Sequence, residues 1–132
     1  METQANKEPP HLNHFLIDHV EAIIFLVNVD QNGILTYEKI NEAHERATGL
    51  SNDAIKGKTP VEVVGEEMGK AIEAQYSRCL KEAKTLSYEE MLDLPAGKTT
   101  WLTKFSPIFE KGHVVQSVGV STDITVKRMN KP

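Results

Sequence analysis

The period of the apolar positions changes several times along the chain. Leu12, Phe15 and His19, with Ile17 nearby, share one side of residues 12–22 and predict a short amphipathic helix. The run IIFLVNV at 23–29 is β-branched and aromatic; Asp30-Gln31-Asn32-Gly33 is a turn signal, and ILTYEKI at 34–40 completes a predicted hairpin. Period then returns to that of a helix. Ile40, Ala43 and Ala47 are in phase, Asn41 is placed to cap the start, and Gly49 marks the end. Ser51 can cap a second short helix through Ile55, which Gly57 ends, and Thr59 before Pro60 predicts a third through Val61 and Val64. The longest helix is expected at 66–84, where Met68, Ile72, Tyr76, Cys79, Leu80 and Ala83 form one stripe. Three strands follow: TLSYEEMLDL at 85–94, TTWLTKFSPIF at 99–109 and HVVQSVGVSTDI at 113–124, joined by Pro95-Ala96-Gly97 and by EKGH.

The order is two strands, several helices, then three strands. Connections within each strand block are hairpin-short. An α+β fold follows, with an antiparallel sheet and helices over one face. A chain of 132 residues is one domain with a sizeable core. Its net charge of −4 supplies no basic field, which disfavours nucleic acid and an anionic membrane as partners. No apolar run is long enough to span a bilayer and no signal peptide opens the chain. The single Cys79 rules out an intrachain disulfide and suits a reducing compartment, so a cytoplasmic location is expected. Residues 1–11 are polar and proline-containing and read as a disordered leader or linker, 12–128 as the domain, and 129–132 as the start of a C-terminal output linker.

Separated motifs, read in order, carry a resemblance. Asn41 and Ala43, then Thr48, Gly49 and Ser51, then Ile55, Gly57 and Lys58 come first. Pro95, Gly97, Trp101, Pro107 and Gly112 follow, and Gly119, Asp123, Ile124 and Thr125 come last. Together they resemble the PAS family of sensory domains over about residues 15–128. The span from Gly33 to Asn41 is about two residues longer than in many members. The resemblance implies a five-stranded antiparallel sheet in the order 2-1-5-4-3, helices over one face and a pocket between the two layers. It also implies an input or dimerisation module without catalysis of its own. The effector, outside this chain, would be a histidine kinase, a cyclic-dinucleotide enzyme or a DNA-binding regulator. In that frame the Asp123-Ile124-Thr125 junction hands the signal to an output helix beginning near Val126, so the chain reads as an input domain cut from its effector.

Strand alternation nominates the pocket walls. Lys104 belongs in solvent, so Trp101, Thr103 and Phe105 face inward. The family comparison puts Ser117, Gly119 and Ser121 inward on the last strand, and Phe25, Val27 and Val29 on the first. Tyr76 and Cys79 come from the long helix. These residues describe an apolar, aromatic space with a few hydroxyls, suited to a small planar or apolar ligand, or equally to a solid core. Both faces of IIFLVNV are apolar, so the helix at 12–22, with Phe15, is expected to pack on Ile24 and Leu26 at the outer face and form a homodimer interface.

Cofactor chemistry is narrowed by the same residues. Haem-binding members take an axial histidine from the long helix, and residues 66–84 contain none. Light sensors of the family that form a flavin–cysteine adduct carry an Asn-Cys-Arg motif just before that helix; here the region is TPVEVVGEE. Cys79 lies on the apolar stripe and reads as an inert buried thiol. His11, His14 and His19 read as solvated, not as metal ligands. Glu89 and Glu90 point to opposite sheet faces and cannot act as an acid–base couple; if Tyr88 and its neighbours face inward, Glu90 does too and needs a partner such as Arg78 or a ligand amine. The leading expectation is a cytoplasmic sensory or dimerisation module, with or without an unidentified small molecule in its pocket. A ligand-free structural adaptor and a small cavity enzyme are the alternatives.

Overall fold

The computed structural model describes residues 22–125. The leader, the helix predicted before Ala22 with its Phe15, the N-terminal histidines and the residues from Val126 on lie outside them. The elements are β1 (Ile23–Val29), β2 (Leu35–Ile40), α1 (Glu42–Thr48), α2 (Asn52–Ile55), α3 (Pro60–Val64), α4 (Glu66–Glu82), β3 (Leu86–Leu94), β4 (Gly97–Glu110) and β5 (His113–Asp123). All strand pairs are antiparallel, in the order β2-β1-β5-β4-β3.

Local chemistry sets each boundary. In the first hairpin the Asp30 carboxylate accepts the Asn32 and Ile34 N–H groups at 2.8 and 2.9 Å, and Gly33 takes the positive φ of 82° that the turn needs. The span from Gly33 to Asn41 contains a one-residue bulge. Phe25 pairs with Ile40 but Val27 pairs with Tyr37, so both partners still face the core and the extra residue falls between them. The turn between β4 and β5 puts Lys111 and Gly112 at φ 53° and 83°, which gives the twist antiparallel neighbours require. Pro95 and Ala96 alone make the β3–β4 turn, and Gly97 is already the first residue of β4.

Asn41 joins helix to sheet. Its side-chain oxygen accepts the His44 N–H at 3.0 Å, capping α1, and also the Ile24 N–H at 3.1 Å, while its amide donates to the Ala22 carbonyl at 2.7 Å. The second helix starts differently from the expected Ser51 cap: the Glu45 carboxylate takes the Asn52 N–H at 2.7 Å, and the Asn52 side chain turns back to the Ile40 N–H. Thr59 and Glu62 form a reciprocal capping box on α3. Helix α4 buries Gly69, Ile72, Tyr76 and Cys79. It stops at Glu82, so Ala83, expected on the apolar stripe, is exposed in a left-handed cap at φ 54°. The free edge of β2 is covered because Tyr37 exchanges backbone bonds with Gly57 and Lys58 at 2.8 and 2.9 Å.

The core lies between the inner sheet face and the helices. Phe25, Phe105 and Tyr76 make a continuous ring stack, with centroids 5.7 Å apart for Phe25–Phe105 and 4.4 Å for Phe105–Tyr76. The Phe25 ring lies directly over Gly119, where a Cβ would fall inside the ring. Gly119→Ala should therefore cost about 2–3 kcal/mol by overpacking. Adding Phe25→Leu should recover much of that loss in urea melts, because the two changes share one space; additive losses would show that the clash is relieved elsewhere.

Candidate functional site

The ring stack leaves a cavity of about 50 Å³ at the end of the sandwich nearest the β3–β4 turn. Of the pocket residues expected from sequence, Phe25, Tyr76, Trp101 and Ser121 line it. The others are placed differently. Val27, Cys79, Thr103, Phe105 and Ser117 are completely buried, and Gly119 is buried beneath Phe25, so all six form the solid packing beside the cavity. Val29 packs at the edge of that core. The reason is volume: three rings stacked over β1, β5 and β4 use the space that the strand alternation had assigned to a ligand.

Other walls were not singled out by the sequence. His44 and Thr48 approach from α1, Val63 and Val64 from α3, and Leu92 and Leu94 from β3. His44 was legible only as a residue of an early helix; that it faces inward follows from α1 being held across β1 by Asn41. Its Nδ1 lies 3.3 Å from the Thr48 hydroxyl, and its ring packs edge-on against Phe25. Burial pulls the imidazole down to about 4, so it is neutral at physiological pH.

Glu90 lies on the same wall, one of the inward positions of β3, directly opposite Trp101 of β4. Its carboxyl is pushed up to about 7 by burial alone. The suggested ion pair with Arg78 does not form among the described residues: the guanidinium acts on the Tyr88 hydroxyl, and Arg78 itself is exposed. The Glu90 charge instead faces the hydroxyls of Tyr37, Tyr76 and Tyr88 and helps to hold all three phenols protonated. Neither Glu90 nor His44 contributes to the other's shift, so they do not form an acid–base couple. The Trp101 side chain, only 3% exposed, leaves its Nε1–H with no acceptor among the described residues, an orphan that a native interior seldom tolerates.

Room for a water needs at least 10–15 Å³, so the cavity holds a group of about four heavy atoms. Haem and flavin do not fit it. Cys79, expected to be inert, donates weakly to the carbonyls of Lys84 and Phe105, and burial raises its thiol. Among the described residues no group of three or more His, Cys, Asp or Glu side chains could hold a metal ion, and no helix is long and apolar enough to cross a membrane.

The cavity wall is tied to the C-terminal junction. Trp101 pairs across the ladder with Asp123. The adjacent Thr100 donates its N–H to the Thr125 hydroxyl and accepts the Ile124 N–H, both at 2.9 Å. Asp123 in turn accepts the Thr125 N–H at 2.9 Å. The expected junction residues are thus clasped to the strand that carries the cavity's tryptophan.

A family model described as the PAS fold matches residues 17–129, nearly the whole domain. The chain belongs to the PAS family. Solved structures give the same fold. An RNA-binding light-oxygen-voltage receptor superposes with a TM-score of 0.72 at 17% identity, over 90% of this chain and 34% of that one. The chain thus spans about a third of that receptor's length. A PAS domain from Colwellia psychrerythraea superposes with a TM-score of 0.68 at 17% identity, covering 88% and 97% of the two chains. The light-oxygen-voltage domain of a blue-light activated histidine kinase from Erythrobacter litoralis gives 0.65 at 13%, covering 81% and 99%. No curated protein matches the sequence.

Glu90 and His44 give this PAS domain opposed pH dependences. Glu90 keeps its proton in the fold where the unfolded chain has lost it, so it makes stability fall as pH rises from about 4.5 to about 7. His44 stays neutral where the unfolded imidazole is protonated, so it makes stability rise from about pH 4 to 6.5. Over the shared range the two slopes offset. Relative to the wild type, Glu90→Gln should gain about 3 kcal/mol between pH 4.5 and 8. His44→Leu should lose ground from pH 4 to 6.5. Thermal melts in matched buffers read both, and difference curves that stay flat would show that neither group is buried.

Proposed function

We propose that this PAS domain is the sensory module of a cytoplasmic signal-transduction protein, and that occupancy of the cavity is passed through Trp101 and Thr100 to the Asp123-Ile124-Thr125 junction. The observation that carries the reading is the double hydrogen bond between Thr100 and the junction, one residue from the indole that lines the cavity. A change at the wall reaches the C-terminus through two backbone-anchored bonds, with no flexible loop between them. In this reading the domain binds and signals without a reaction of its own, in keeping with a carboxyl and an imidazole that do not couple. The effector in this reading is a histidine kinase, a cyclic-dinucleotide enzyme or a DNA-binding regulator, the first in keeping with the histidine kinase among the structural relatives.

The test places this domain ahead of a histidine-kinase effector in place of that kinase's own PAS domain. Trp101→Leu should shift autophosphorylation at least threefold. Asp123→Ala should erase that difference while the domain keeps its melting temperature within about 3 °C. A Trp101→Leu rate equal to the wild type, or an Asp123→Ala domain that unfolds, overturns the reading.

The same module is proposed to pair with a second copy through the outer sheet face. Leu102 and Val120 are 41% and 39% exposed there, and Val120 pairs with the half-buried Ile24 of β1, while Leu26 is itself buried. Sedimentation at tens of micromolar should give a dimer that Leu102→Glu converts to monomer; a monomer at every concentration removes this interface.

A further inference from the structure

Glu90 borders a second space besides the inner cavity. An open cleft of about 610 Å³ lies on the other side, and Glu90, Val64 and Leu92 belong to both walls. The cleft carries Glu66, Glu67 and Asp93 against a single lysine, Lys98. Glu66 and Glu67 sit in the first turn of α4 and offset the partial positive charge of that helix end, and Glu66 also pairs with Lys70 at 3.5 Å. Asp93 stands opposite Lys98 in the β3–β4 ladder, so the charge left without a counterpart is the Glu90 carboxyl, which nothing of opposite sign meets among the described residues.

Three features around that carboxyl select a ligand. First, a desolvated carboxylate favours a cation and repels a carboxylate or phosphate. Second, the walls around it are the rings of Phe25, Tyr37, Tyr76 and Trp101, whose faces suit an organic ammonium and not a bare metal ion, which would need further oxygen ligands. Third, Trp101, the ladder partner of Glu90 and a wall of the same cavity, has an indole N–H that lacks an acceptor among the described residues. A ligand that satisfies both groups carries a cationic donor at one end and an oxygen acceptor at the other, within about four heavy atoms.

We propose that the cavity binds a small amino alcohol, its ammonium on the Glu90 carboxylate and its hydroxyl oxygen accepting the Trp101 Nε1–H. The inference rests on the reading of the cavity as the ligand pocket and names the class of ligand. The acidic cleft is the entrance, and Glu90 stands at its threshold. Binding neutralises the buried charge and satisfies the orphan donor at once, next to the Thr100 clasp.

Three isosteric probes separate the contributions: ethanolamine, n-propylamine and propan-1-ol, titrated into the domain at pH 7.5 by calorimetry and by shifts of the indole N–H resonance. Ethanolamine should bind at least tenfold tighter than propan-1-ol, as one charge-assisted bond implies, and about fivefold tighter than propylamine, as one neutral bond implies. Glu90→Gln should remove the tenfold preference while leaving propan-1-ol unchanged. Trp101→Phe should remove the preference for ethanolamine over propylamine. Should that variant fail to fold, the indole resonance of the wild type, shifted by ethanolamine and not by propylamine, reports the same contact. Propan-1-ol binding as tightly as ethanolamine overturns the amino-alcohol class but leaves a small-ligand pocket standing. Saturation by none of the three overturns it as well, and the kinase graft then reports independently on whether the domain signals.

Discussion

The Phe25 ring lying on Gly119 is the contact from which the rest of this domain's interior follows. With no side chain on Gly119, a phenyl group from β1 can lie flat on β5 and stack on Phe105 of β4. The stack then receives Tyr76 from α4. One missing methyl therefore joins three strands and the long helix through a cluster of three rings, each in contact with the other two. It also decides where empty space can occur. The cluster fills the middle of the sandwich, and what is left opens towards the β3–β4 turn, under α1 and α3.

That displacement changes the chemistry of the pocket. Its floor is the inner face of β3 and β4, where Glu90 and Trp101 oppose each other, and its roof is α1, where Asn41 holds His44 inward. A half-buried carboxyl and an imidazole kept neutral make the space polar at two points and apolar elsewhere. Buried polar groups without partners are costly, and their retention beside a cavity points to a role that solid packing does not serve. The strand that carries Trp101 also holds the C-terminal junction, so the cavity and the exit of the chain share one ladder.

Much of the fold was legible because its boundaries are written in local chemistry. Asn41, Gly49, Thr59, Pro60 and the turn at Asp30–Gly33 each act on backbone groups within a few residues, and alternation on β4 alone placed Trp101, Thr103 and Phe105 inward. The bulge at β2 was not legible, since an extra residue can be absorbed at several points and only pairing with β1 selects one. The start of α2 at Ser51 was legible, but not that a glutamate seven residues before Asn52, and not the serine side chain, accepts its first N–H.

For the site, the direction of each side chain was available from the period of its element, but not the volume left between opposed elements. Sequence alone determined the order of strands and helices, the faces they present, the absence of an adduct-forming cysteine before the long helix, and the family. The tertiary structure decided which inward residues touch one another and which border space. Whether Phe25 fills a pocket or lines one depends on Phe105 and Tyr76, which are distant in the chain and meet it only when the sheet closes. His44 and Glu90 acquire their chemistry in the same way, because desolvation is a property of everything packed around a group and is not carried by the residue itself.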